Sequence, residues 1–83
     1  MAEDDAPASW RRRHDARPAP IELAVLRASA TGRSTAEVAD VLGLDPEAVR
    51  RHIAGAIVAL GVRSKLEAIV LALRAGWIEI EGA

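Results

Sequence analysis

Arg50 and Arg51 stand side by side in the middle of the chain and are followed by His52. A guanidinium presents a planar fork of donors that grips guanine O6 and N7, or a phosphate, in bidentate fashion. The plain alternative is a solvated pair of arginines meeting Glu47 on the same surface. A second basic group, Arg11-Arg12-Arg13, sits beside Trp10. It joins phosphate-neutralising charge to an indole that can stack on a base; its plain alternative is a solvated tail with one stray aromatic. His52 can touch a phosphate or sit half-packed against the core, and the sequence leaves both open.

Other chemistry finds few candidates. The chain lacks cysteine, and its two histidines, His14 and His52, lie far apart, so neither a disulfide framework nor a metal site is expected. The carboxylates are spread over helix starts, where they favour the macrodipole. No glycine-rich phosphate loop follows a strand. The expectation is a binding protein, not an enzyme, with no cofactor. No apolar run nears the ~18 residues of a membrane span; the longest, Ile53 to Val62, contains Gly55 and Gly61. The first five residues are acidic where a signal peptide is basic, so a cytoplasmic protein is expected.

Charge cuts against nucleic-acid binding. The net charge is −1 over 83 residues, whereas nucleic-acid binders usually carry a basic excess. From Pro20 onward seven basic residues face eight acidic ones, so any affinity must come from a local cluster.

The elements that would position these residues begin at Pro20. Residues 1–19 hold two prolines and scattered charges with no apolar period, which reads as a flexible tail. Residues 20–83 read as one domain of four helices. The first spans about Pro20 to Ala30, with Ile21, Val25 and Ala28 on one stripe, Leu26 alongside and Gly32 to end it. Ser34-Thr35-Ala36-Glu37 is a capping box that opens a short helix to Leu42, with Val38, Ala39 and Leu42 inward. Gly43 and Leu44 make a turn, Asp45 caps the third helix and Pro46 takes its first position. Val49, Ile53, Ile57 (or Ala56) and Leu60 continue it at helical spacing until Gly61. Ser64 to Glu67 is a second capping box, and the fourth helix runs to about Ala75 before Gly76. Trp77 to Glu81 reads as a loose extension, and no sheet is expected.

A short helix, a glycine-containing turn and a longer helix form the layout of a helix-turn-helix, whose second helix lies in the major groove. Small Ala39 suits a close crossing, Leu44 can plug the space between the helices, and inward Val49 and Ile53 turn Arg50, Arg51 and Ala54 outward.

Glu22, Val25, Leu26, Gly32, Ser34, Glu37, Val38, Ala39, Leu42, Leu44, Val49, Arg50, His52, Leu60, Gly61, Val62, Ala68 and Gly76 fall in register, without a gap, on the pattern of one family. From Glu22 to Ile78 the chain resembles the DNA-binding domain of LuxR/NarL (GerE)-type bacterial regulators. Region 4 of sigma factors shares the Glu-Val-Ala, Leu-Gly-Leu and Val-Arg elements. It does not normally continue with Gly-Val-Arg-Ser-Lys-Leu-Glu-Ala-Ile and a further helix, which favours the LuxR type. The resemblance implies a transcriptional regulator that binds double-stranded DNA through Arg50, Arg51, His52, Ala54 and Ala48, with Arg33, Arg63 and Lys65 nearby. It also marks departures: Ala48 stands for a phosphate-touching threonine, Ala54 for a base-reading polar residue, and Ala59 for a lysine. Ser29 takes a usually apolar place, and Pro18-Ala19 replaces the family's Leu-Thr at the start of the first helix.

The fourth helix is apolar over more than one face. By the resemblance, Leu66, Ile69, Leu71 and Ala72 would form a homodimer interface; alternatively Trp77 and Ile78 cover the extra surface. A second function stands beside DNA binding, supported by the low net charge and the missing contacts. On that reading the helix-turn-helix scaffold is an interaction module that binds a protein partner.

Overall fold

The computed structural model describes residues 17–80. Among them are four helices and no strand: α1 Pro20–Ser29, α2 Thr35–Leu42, α3 Pro46–Leu60 and α4 Lys65–Arg74. The all-α helix-turn-helix reading therefore holds. Most of the expected tail lies outside the described residues. Its last three residues lead directly into α1, and Pro18 is buried.

Local signals set the helix ends. Ser34 Oγ accepts from the Glu37 amide at 3.1 Å while Glu37 Oε1 accepts from the Ser34 amide at 2.7 Å, a closed capping box. The second expected box closes differently. Ser64 Oγ accepts from the Glu67 amide at 3.1 Å, but Glu67 Oε1 takes the amide of Arg63, at 2.8 Å, instead of that of Ser64. With Ser64 extended at φ −151°, the carboxylate reaches one residue further back. Ala19 caps α1 without a side-chain oxygen; there Glu22 Oε1 accepts from the Ala19 amide at 3.0 Å. The start of α1 is thereby held despite the loss of the family's threonine.

The core has two lobes, and α1 and α3 contribute to both. One lobe joins Val25 and Ala28 of α1 to Val38 and Ala39 of α2 and Val49 of α3, with Leu42, Leu44 and Ile53 packed on it. The other joins Leu23 and Leu26 to Ala56 and Leu60 of α3, Ala68, Ile69 and Ala72 of α4, and Ile78. Because α3 contributes to both lobes, its rotation about its own axis is constrained along its length.

Two expectations need correction. Ile21, placed on the inner stripe of α1, is 38 % exposed, and Leu23 is buried instead. The residues following α4 are not a loose extension. Gly76 adopts φ +77°, the Trp77 amide reaches the Ala72 carbonyl at 2.9 Å, and the chain turns back so that Ile78 is buried and Trp77 packs beside it. Ser29 does not leave a polar hole in the core: its hydroxyl donates to the Val25 carbonyl at 2.8 Å, which satisfies the buried oxygen.

Candidate nucleic-acid interface

The turn between α2 and α3 determines where α3 points. Gly43 ends α2 in the left-handed conformation at φ +69°, a region that a side chain with Cβ rarely adopts. The next amide, of Leu44, bonds back to the Ala39 carbonyl at 2.9 Å, so Leu44 folds over the end of α2 and packs on the lobe below. Asp45 Oδ1 then accepts from the Ala48 amide at 2.8 Å and Pro46 opens α3. Ala39, at 2 % exposure, leaves room for the close crossing.

Along α3 the inward arc holds Ala48, Val49, Ala56 and Leu60, with Ile53 partly buried. The outward arc holds Glu47, Arg50, Arg51, Ala54 and Val58, all exposed. Arg50, Arg51 and Ala54 thus share one solvent face within about 6 Å of helix axis, at ~1.5 Å per residue. His52 lies half-buried between Ala48 and Ala56 on the inward stripe, not on the face of Arg50, Arg51 and Ala54. Ala48, expected among the DNA-contacting residues, is only 7 % exposed. It stands two turns before Ala56 on the same inward stripe, so its side chain is turned from the outward arc.

The other basic residues expected at the interface, Arg33, Arg63 and Lys65, lie off α3. Arg63 and Lys65 are exposed but follow the C-terminal end of α3. The ten residue steps from Arg50 to Leu60 alone span roughly 15 Å of helix. Arg33 is half-buried in the α1–α2 loop, where its guanidinium donates to the Ala28 carbonyl at 3.0 Å and caps the C-terminus of α1. It also lies near Glu37. The Glu37 carboxyl is held below the usual carboxylate range, first by the Ser34 amide, then by the Ser34 hydroxyl, and also by the Arg33 charge.

The expected dimer residues divide as well. Ile69 and Ala72 are core residues, 7 % and 0 % exposed, and Leu71 packs partly against the same lobe. The outward face of α4 carries Leu66 at 69 % exposure and Val70 at 42 %. With Val62 and Leu71 they line an open groove of about 570 Å³ bounded by Glu67 and Arg74. Val70 was not among the expected residues, although it follows Leu66 by one helical turn. Among the described residues no cluster could hold a metal ion, and no helix is long and apolar enough to cross a membrane.

Comparison with known proteins gives one match. Residues 20–72 fit the profile of the GerE family, described as bacterial regulatory proteins of the luxR family. No curated protein and no solved structure matches the chain. The profile covers α1, α2, α3 and most of α4, the same helices that build the two-lobed core and present Arg50 and Arg51. The chain belongs to the LuxR family of bacterial regulatory proteins, DNA-binding regulators of transcription built on this helix-turn-helix domain.

Proposed function

We propose that this chain is a sequence-specific regulator of transcription that lays α3 in the major groove of double-stranded DNA. The observation that carries the reading is the exposed pair Arg50 and Arg51 on the outward arc of a helix whose opposite face is locked into the core. In this pose one arginine reads a guanine edge and the other holds a phosphate. Ala54 lies against the groove wall and offers apolar contact alone. His52, half-buried behind the pair, has only its exposed edge to offer a phosphate, and Arg33, Arg63 and Lys65 supply peripheral phosphate contacts. The chain acts as a homodimer through the outward face of α4, with Leu66, Val70 and the exposed part of Leu71 meeting their counterparts across a two-fold axis. This role places it in the bacterial cytoplasm, with the DNA.

The test compares Arg50→Ala and Arg51→Ala with the parent on a duplex selected for binding, at several salt concentrations, with folding checked by circular dichroism. Loss of a base-reading arginine costs roughly 1–3 kcal/mol on the preferred site and relaxes one base position. Loss of a phosphate contact weakens all sequences alike and lowers the salt slope by about one unit. Arg50, in the family's lysine position, is expected to have the larger effect. Parental binding by both variants overturns the groove pose and leaves the protein-interaction module in its place.

A further inference from the structure

The outward arc of α3 has a middle as well as edges, and a carboxylate stands at the middle. An α-helix turns about 100° per residue, so the nine steps from Glu47 to Ala56 place the two on opposite sides of α3. Ala56 is wholly buried, as is Val49 beside it on the inward arc. Glu47 is exposed and therefore marks the line of α3 that faces directly away from the core. By the same rotation Arg51 lies about 40° to one side of that line and Arg50 about 60° to the other. The two guanidiniums flank a central acceptor.

Glu47 is also the second residue of α3, after Pro46. In a helix-turn-helix the N-terminal residues of the second helix meet the base edges. With its back held by the core, such a helix turns the middle of its opposite arc to the floor of the groove and its flanks to the walls. An ionised carboxylate can only accept hydrogen bonds. The major groove offers it two amino donors, on cytosine N4 and adenine N6. Adenine sets the N7 acceptor beside its donor, whereas cytosine shows the amino group alone. Guanine O6 and N7 and thymine O4 are acceptors and repel a carboxylate. Cytosine is the base that this group fits.

We propose that Glu47 is a specificity-determining residue whose carboxylate accepts a hydrogen bond from the N4 amino group of a cytosine in the major groove. This rests on the DNA-binding reading above and adds a base contact to it. The negative charge is repelled by the phosphates, but Arg50 and Arg51, three and four residues on, are its neighbours on the helix surface and offset it. Glu47 thus contributes selectivity and not affinity, because a site without the amino donor leaves the carboxylate facing acceptors. An acid in the first turn also favours the helix macrodipole, a role that carries no base preference, so base preference separates the two.

The experiment selects binding sites from a randomised duplex pool for the parent, Glu47→Ala and Glu47→Gln, with folding checked by circular dichroism. It then measures affinity on duplexes carrying each of the four bases at the position that differs. The parent is expected to prefer cytosine there by about fivefold or more, the lower end for one mismatched base pair. Glu47→Ala is expected to lose that preference and to bind unrelated duplexes more tightly than the parent. Glu47→Gln is expected to move the preference toward adenine, whose N6 and N7 match a carboxamide. Parental preference at every position in both variants overturns the contact while the DNA reading stands, and leaves Glu47 a helix-start acid. A position controlled by Glu47 at which the parent prefers a base other than cytosine overturns the cytosine assignment. A parent that enriches no sequence overturns the DNA reading itself and the contact with it.

Discussion

The Glu22 carboxylate occupies the space beside Gly55 that a side chain would fill. One oxygen accepts from the Ala19 amide at 3.0 Å, and the other would meet a Cβ on Gly55 at 2.5 Å. Gly55 is thus a helical glycine explained by its neighbour, since its own φ carries no requirement for glycine. A single carboxylate caps α1 and fits it to α3, the helix that presents Arg50 and Arg51.

This contact predicts a coupling that a double-mutant cycle can read. Gly55→Ala gains roughly 1 kcal/mol of helix propensity but displaces the Glu22 carboxylate from its cap, which costs about the same. In the parent the change is expected to be nearly neutral. In a Glu22→Ala background it is expected to stabilise by about 1 kcal/mol. Equal effects in both backgrounds, by chemical denaturation, would show that the two residues do not interact.

The faces of α4 predict opposite outcomes for neighbouring positions. Leu66→Glu and Val70→Glu place charge on solvent-facing positions and are expected to leave the helical spectrum intact while weakening self-association in sedimentation. Ile69→Glu buries a carboxylate in the lobe formed with Leu23, Leu26 and Ala56. It is expected to cost several kcal/mol, enough to unfold a domain of this size. A well-folded Ile69→Glu chain contradicts the packing of α4. Undiminished self-association of both surface variants places the dimer contact elsewhere.

The capping box of α2 predicts a pH dependence. The folded-state pKa of Glu37 lies below the ordinary carboxylate value, so its unfolded form binds a proton first. The stabilisation is therefore present above the unfolded pKa and is lost as pH falls through the folded pKa. Thermal melts from neutral pH down to about pH 3 are expected to show a smaller acid-induced loss for Glu37→Gln than for the parent. Identical losses would mean that the Ser34 amide and hydroxyl do not favour the ionised form.

Arg33 predicts an effect without DNA present. Its guanidinium caps the Ala28 carbonyl at 3.0 Å, so Arg33→Ala is expected to lower stability by about 0.5–1.5 kcal/mol. A melt of the free protein reads this directly. An unchanged melt would remove Arg33 from the structural framework and leave it a role only in binding.

The sequence by itself determined every helix in the described region, because helix ends are local events. Ser34 with Glu37, Asp45 with Pro46, and glycines at 43, 61 and 76 act within a few residues of themselves, and short-range hydrogen bonds do not depend on the rest of the fold. The outward arc of α3 was legible too, since Val49, Ile53 and Leu60 repeat at helical spacing and leave Arg50, Arg51 and Ala54 opposite. What only the tertiary structure decided is which of several apolar faces is covered. Ile21 and Leu23 are both apolar in α1, and packing against α4 and Ile78 selects Leu23. Ile69 and Leu66 are both apolar in α4, and only Ile69 is buried, in the lobe that holds Leu23 and Leu26 of α1. Ala48 goes inward because the covered arc of α3 is wider than its large apolar residues mark out. Gly55 gave only the hint of a glycine inside a helix; that Glu22 fills its place depends on two helices meeting across more than thirty residues of chain. Burial is a property of the assembled neighbours, and periodicity within one helix supplies the candidates without choosing among them.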